Sequence, residues 1–136
     1  MVVAASNSRF GLPEVGIGVI PTCAGIFRAP QSLPLNLARE MIVTGEPIGA
    51  ERAYAAGFVN VLTEPGRAVD GAIALAQRVA RNAPLSVQAC LAAINAQLAP
   101  EVEAGWLATE VAKQTIFGTE DAAEGVRSFL EKRPPE

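Results

Sequence analysis

A chain of 136 residues is long enough for one domain with a real core and too short for two. Half of its residues are hydrophobic but only 5% are aromatic, so Ala and small aliphatic side chains carry the core, which favours closely packed helices. A net charge of −3 and a pI near 5.0 argue against a nucleic-acid or anionic-membrane partner, and no run approaches the ~18 apolar residues of a membrane span.

Histidine is absent. That removes any Ser-His-Asp triad or Cys-His dyad from within the chain. Cys23 and Cys90 cannot close a zinc site without it. Two cysteines in a chain of this size read as reduced thiols of the cytoplasm, not as a disulfide scaffold. Nor does the start resemble a secretory signal, since no basic residue precedes Val2-Val3-Ala4-Ala5. Acid–base chemistry falls to carboxylates, a shifted Lys, Cys23 or Tyr54.

Met1–Ala5 reads as a buried strand that begins abruptly, and Ser6-Asn7-Ser8 as a turn. Phe10–Val15 and Ile17–Ile20 read as short extended pieces separated by Gly16. Within them one carboxylate, Glu14, stands among Phe10, Leu12, Val15 and Ile17. Pro13 removes a backbone donor just before it, so the segment is an edge, a bend or a bulge. A carboxylate desolvated in such a run gains proton affinity, which is what a general acid near neutral pH requires. Taken by itself, Glu14 reads more readily as a surface carboxylate at a strand end.

Pro21 ends this segment, and Thr22-Cys23-Ala24-Gly25 forms a loop of small residues. A short helical turn through Ile26-Phe27-Arg28 follows, before Pro30. Such a loop-to-helix step points backbone N–H groups toward whatever lies beside Glu14. From Leu33 the period becomes helical: Leu33, Leu37, Ala38 and Met41 share a face, and Gly45 suits the position just past a helix end. A helix over Ala50–Ala56 ends at Gly57, and Phe58–Leu62 reads as a strand closed by the turn Glu64-Pro65-Gly66.

The remainder reads as helical. Val69, Ile73, Ala76 and Val79–Ala80 face the core in a third helix, and Val87, Leu91, Ile94 and Leu98 in a fourth. Pro100 suits the first turn of a fifth, with Ala104, Leu107, Ala108, Val111 and Ala112 inward and Gly118 as its stop. Thr119 caps a last helix with Glu120 and Asp121 in its first turn. Ala122, Val126, Phe129 and Leu130 face inward there, and Lys132-Arg133 meet its negative end.

Three ordered stretches carry a resemblance. Ser8-Arg9-Phe10-Gly11-Leu12-Pro13-Glu14-Val15-Gly16-Ile17-Gly18-Val19-Ile20-Pro21 resembles the catalytic-glutamate strand of the crotonase (enoyl-CoA hydratase/isomerase) family. Met41–Ala53 with Ala56–Asn60 resembles its helix–turn–helix. Thr119–Gly125 with Phe129–Arg133 resembles its C-terminal helix. The similarity runs along the whole chain and matches the C-terminal half of such a protein.

The resemblance implies an α/β fold: part of the crotonase β-β-α spiral over 1–66, then a helical trimerisation region over 67–136. It implies reversible hydration or a double-bond shift of an enoyl-CoA thioester, with Glu14 as catalytic residue exchanging a proton at the α-carbon. The family's oxyanion donors, the largest catalytic term in such chemistry, and a hydratase's second glutamate come from earlier segments, absent from this sequence. Pro13, Cys23, Ala24, Gly25 and Ile26 fall on the substrate pocket. The family's glycine-rich loop is here Thr22-Cys23-Ala24-Gly25, and the next two positions, polar in the family, are Ile26-Phe27, an apolar lining. Cys23 is then a wall of the pocket more than a reactive thiol. Phe129 and Lys132 match positions that reach the coenzyme A of a neighbouring subunit, although charge at a helix end explains Lys132 as well. No metal or redox cofactor is implied, coenzyme A being part of the substrate. The implied assembly is a homo-oligomer, a trimer or dimer of trimers. A competing expectation is a non-catalytic oligomerisation or binding module that keeps the helical region without the oxyanion hole.

Overall fold

The structure is a computed structural model that describes residues 1–136. In chain order its elements are β1 (Val3–Ala5), β2 (Arg9–Phe10), a 3-10 turn (Pro13–Ile17), α1 (Gly25–Ser32), α2 (Leu35–Thr44), β3 (Ile48–Gly49), α3 (Ala50–Ala55), β4 (Val61–Thr63), α4 (Ala68–Ala80), α5 (Pro84–Ile116) and α6 (Glu120–Glu131). They fall into two compact units, Met1–Arg9 with Gly49–Glu103, and Phe10–Ile48 with Ala104–Glu136.

The first unit is built on a parallel ladder, Val3 opposite Val61, Ala4 opposite Leu62 and Ala5 opposite Thr63. Asn60 sets the start of that register: its side-chain oxygen accepts from the Val2 amide at 2.7 Å, and its own amide donates to the Val2 carbonyl at 2.8 Å. The expected strand over Phe58–Leu62 begins later, at Val61, because the Phe58 and Val59 amides are occupied by the Ala53 carbonyl at the end of α3. Gly71 lets α4 lie on the ladder, since a Cβ there would meet Val3 and Thr63 side chains. The side of α4 turned inward is therefore Ala68, Gly71, Leu75 and Val79; Val69 and Ile73, expected inside, are exposed. Gly71 is what admits this side to the sheet.

In the second unit the 3-10 turn is held by two helices, α2 and α6. The apolar face read for α2 is buried as expected at Leu33, Leu37, Ala38 and Met41, and Gly45 takes the left-handed cap at φ 69°. The helix expected to stop before Pro30 continues through it to Ser32. Proline deprives a helix of one N–H bond, and this one sits in the last turn, where little helix remains to disrupt. Pro100 likewise breaks nothing: α5 is one helix of 33 residues, not two. A helix-interior proline costs about 3 kcal/mol, a cost spread here over a long run of Ala, Leu, Gln and Glu, all strong helix formers.

Gly105 brings α5 against the Phe27 ring, and Phe27 meets Trp106 edge-on, with centroids 5.2 Å apart. The inward side of this part of α5 is Gly105, Thr109 and Ala112; Leu107 and Val111 point outward, contrary to expectation. In α6 the same thing happens. Ala122, Gly125 and Ser128 are buried, whereas Phe129 is 64% and Leu130 74% exposed, and Val126 is exposed too. Small residues win both faces because a Cβ at Gly105 would meet the Phe27 ring and one at Gly125 the Ile17 backbone. Thr119 caps α6 as expected, its hydroxyl accepting from the Ala122 amide at 3.2 Å. The buried hydroxyls of Thr109 and Ser128 donate to the Gly105 and Gly125 carbonyls of their own helices, so neither costs an unpaired group.

Candidate active site

The segment around Glu14 is not extended. Pro13 opens a 3-10 turn that runs to Ile17, with its ring at the position where a missing N–H costs nothing. Gly18 closes the turn in the left-handed region at φ 71°, its amide donating to the Val15 carbonyl and the Val19 amide to the Glu14 carbonyl, both at 3.2 Å. The expectation of two extended pieces separated by Gly16 is thus corrected. A run of alternating glycines and aliphatics satisfies either geometry locally, and packing chose the tighter one.

What chooses it is the close fit of two backbones. A Cβ on Gly18 would fall on the Asp121 carbonyl of α6, and one on Gly125 would fall on the Ile17 carbonyl. On the other side, Gly45 at the end of α2 lies beside Val15 and Pro13. The Glu14 backbone therefore has little freedom of its own.

The Glu14 side chain differs from every other carboxylate in the molecule. Its Oε2 is sealed from solvent and meets no hydrogen-bond donor. Buried polar atoms are nearly always partnered, and an exception calls for a reason. A carboxylate is acceptor-only when ionised and carries one donor when protonated. An unpartnered oxygen of this kind can take a proton from, or give one to, a group brought to it.

The loop expected beside it comes to the same segment. Gly25 begins α1, and a Cβ there would collide with Leu12, two residues before Glu14, and with Pro21. Ala24 just before it is buried and left-handed at φ 67°, with its carbonyl accepting from the Phe27 and Arg28 amides. Cys23 is exposed as a free thiol. Ile26 lines an apolar groove of about 230 Å³ between α1 and α2 with Pro30, Leu35, Ala38, Ile42 and Val43. Phe129 and Lys132 are both exposed near the end of α6, Phe129 four residues (about 6 Å along the axis) beyond Gly125, where the helix meets the Ile17 carbonyl. Lys132 is the left-handed cap of α6 at φ 55°. No three His, Cys, Asp or Glu side chains converge as a metal site.

Sequence reading missed the residues that place the turn. Gly125, whose Cα lies on the Ile17 carbonyl, is one of them, and an ion cluster stands next to it. Glu124 accepts from Arg133 at 2.6 Å, Arg133 also reaches Glu131 at 2.7 Å, and the Glu136 amide donates to Glu124 at 3.3 Å. The Arg133 guanidinium, more than any other neighbour, holds the Glu124 carboxyl below its ordinary range, and Glu124 in turn raises Arg133. The available signal was the small-residue spacing Ala122-Gly125-Ser128, every third residue of α6.

Known proteins resemble this chain along its whole length. The chain matches, over residues 1–136, the family described as enoyl-CoA hydratase/isomerase. It is 35% identical over 136 residues to the 2,3-dehydroadipyl-CoA hydratase of Escherichia coli K12, covering 100% of this chain and 53% of that protein. To the carnitinyl-CoA dehydratase of Salmonella paratyphi A it is 36% identical over 138 residues, covering 98% of this chain and 53% of the relative. Among solved structures it superposes on a carnitinyl-CoA dehydratase from Mycobacterium avium 104 with a TM-score of 0.90 at 39% identity, covering 100% of this chain and 54% of that one. The chain spans about half the length of the curated relatives it matches.

Proposed function

The chain belongs to the enoyl-CoA hydratase/isomerase family, with the α/β crotonase fold, and from that membership we propose that it carries the Glu14 side of an acyl-CoA-processing site. The reaction is the reversible hydration of an enoyl-CoA thioester or the related double-bond shift. Glu14 is its proton donor or acceptor at the α-carbon. The observation that carries this reading is the sealed, unpartnered Oε2 of Glu14 on a turn whose backbone is fixed from both sides.

Chemically, removing or adding an α-proton next to a thioester passes through an enolate-like state with charge on the thioester oxygen. A carboxylate oxygen that meets no competing donor offers its lone pair to the α-proton without first breaking a bond. Donors for the thioester oxygen supply the other half of the stabilisation, and the resemblance assigns them, with a hydratase's second glutamate, to segments outside these 136 residues. Pro13, Cys23, Ala24, Gly25 and Ile26 wall the pocket. The apolar Ile26 groove suits an acyl chain. Phe129 and Lys132, exposed near the end of α6, serve a neighbouring subunit's coenzyme A, in a trimer or dimer of trimers assembled through region 67–136. Two relatives named as a hydratase and a dehydratase favour hydration chemistry over the double-bond shift. Coenzyme A enters as part of the substrate and no further cofactor is needed. The free thiols suit the cytoplasm, and no helix is long and apolar enough to cross a membrane.

Incubation with crotonyl-CoA in D₂O tests the reading. The 136-residue chain by itself should hydrate crotonyl-CoA hardly above background; turnover in the ordinary enzyme range of about 1–1000 per second would overturn the assignment of the oxyanion donors elsewhere. With those segments present in the polypeptide, Glu14→Gln should abolish deuterium entry at the α-carbon while acyl-CoA binding persists. Exchange at the parent rate would remove Glu14 from the role.

A further inference from the structure

The turn that carries Glu14 has no side-chain bond of its own to hold it; its position is set by α2 on one side and α6 on the other. Gly125 lies on the Ile17 carbonyl and Gly18 on the Asp121 carbonyl, with no room for a methyl group at either contact. Contacts between backbones transmit displacement directly, since neither side can rotate away. What fixes α6 in this place therefore also fixes the α6 side of the Glu14 turn.

The residue next to Gly125 is Glu124, and it is the centre of the most connected polar cluster in the unit. Arg133 donates to it at 2.6 Å, to Glu131 at 2.7 Å and to the Pro134 carbonyl at 3.0 Å. The Glu136 amide closes on the same Glu124 oxygen at 3.3 Å. These bonds fold the C-terminal segment back over the seat. Pro135 and Glu136 line a small cavity of about 200 Å³ together with Val15, Gly16 and Gly18 of the turn. A second arginine, Arg127, reaches Glu124 only at 3.7 Å and from a more exposed position. The two arginines are thus unequal partners of one carboxylate, and only one of them also holds the tail.

We propose that Arg133 is a positioning residue for Glu14: through Glu124 and the folded-back tail it locks α6 onto the 3-10 turn. The proposal rests on the reading of Glu14 as the proton-transfer group, because only then does its placement bear on chemistry. Fork-shaped, charge-assisted bonds suit such a lock, as they fix direction as well as distance.

Amide hydrogen exchange of the whole chain, read residue by residue by NMR, tests it. The reporters are the Gly18 and Val19 amides, which bond the Val15 and Glu14 carbonyls. In Arg133→Gln they should exchange faster by about tenfold, while the Ser6 amide on Thr63 in the other unit keeps its protection. Arg133→Lys should restore part of the protection, and Arg127→Gln should leave the turn unchanged. Unchanged Gly18 and Val19 in Arg133→Gln, or equal acceleration at Ser6, would overturn the lock. The outcome is independent of Glu14 chemistry: Glu14→Gln tested for α-proton exchange decides that reading, and its failure would leave the exchange pattern as measured.

Discussion

Gly125 of α6 lies directly on the carbonyl of Ile17, at the end of the turn that bears Glu14. Replacing a helical glycine by alanine ordinarily stabilises by about 1 kcal/mol. Here the added methyl meets backbone, which cannot swing aside, and overpacking of this kind costs about 1–3 kcal/mol. Gly125→Ala should therefore lower stability by about 1–2 kcal/mol in urea unfolding, against the helix propensity scale. Gly16, the residue before Ile17, has nothing within 4 Å of where a methyl would sit and no left-handed backbone. Gly16→Ala should change stability by no more than about 0.5 kcal/mol. Equal effects at the two glycines would show that the contact does not hold the turn.

Ala24 offers a test of the loop that reaches Leu12. It is buried and left-handed, a conformation that costs a residue with a Cβ about 1–2 kcal/mol. Glycine would remove that cost and lose part of the gain to unfolded-state entropy, about 0.5–1 kcal/mol. Ala24→Gly should thus stabilise slightly, by about 0.5 kcal/mol. Ala24→Val adds β-branching at positive φ and should destabilise by about 2 kcal/mol. A tolerated valine, measured by thermal unfolding, would mean the backbone there is not held.

The Glu124 cluster should show in the pH dependence of stability. Arg133, first among its neighbours, holds the Glu124 carboxyl low in the folded chain. The unfolded chain therefore binds a proton at this group before the folded one does, so stability rises with pH across that interval. The contribution is fully present above the ordinary carboxylate pKa of about 4.3. It is lost as the pH falls through the lower folded value. Urea midpoints measured from about pH 6 down to pH 3 should drop on the acid side, and the drop should be shallower in Arg133→Gln. Parallel curves for the two proteins would exclude the cluster as a source of acid sensitivity.

The outward apolar faces predict association. Leu107 and Val111 on α5, and Val126, Phe129 and Leu130 on α6, are exposed side chains at helical spacing. Contiguous apolar surface beyond a few hundred Å² is seldom left open in a soluble monomer. Size-exclusion chromatography with light scattering over a dilution series should find a self-associated species, a trimer or its multiple, that shifts toward monomer in Phe129→Asp with Leu130→Asp. A parent chain that stays monomeric at micromolar concentration would defeat the oligomer proposal.

Features that depend on near neighbours along the chain were legible from residue order. The buried face of α2, the left-handed Gly45 at its end and the Thr119 cap with its acidic first turn all followed from residue type at short spacing. Glu14 stood out for the same reason, as a lone carboxylate in an apolar run. Which side of each long helix is covered was settled only by packing in three dimensions. Apolar residues at helical spacing mark a face that can be buried, but Val69, Leu107, Val126 and Leu130 are exposed, and Gly71, Gly105, Thr109, Gly125 and Ser128 take the inner side, where the neighbouring element stands close to the helix. Packing also settled the 3-10 turn at Pro13–Ile17 and the continuity of α5 through Pro100. In each case the local preference is worth about 3 kcal/mol at most, less than packing over a whole element returns, so distance in space overrules order in sequence.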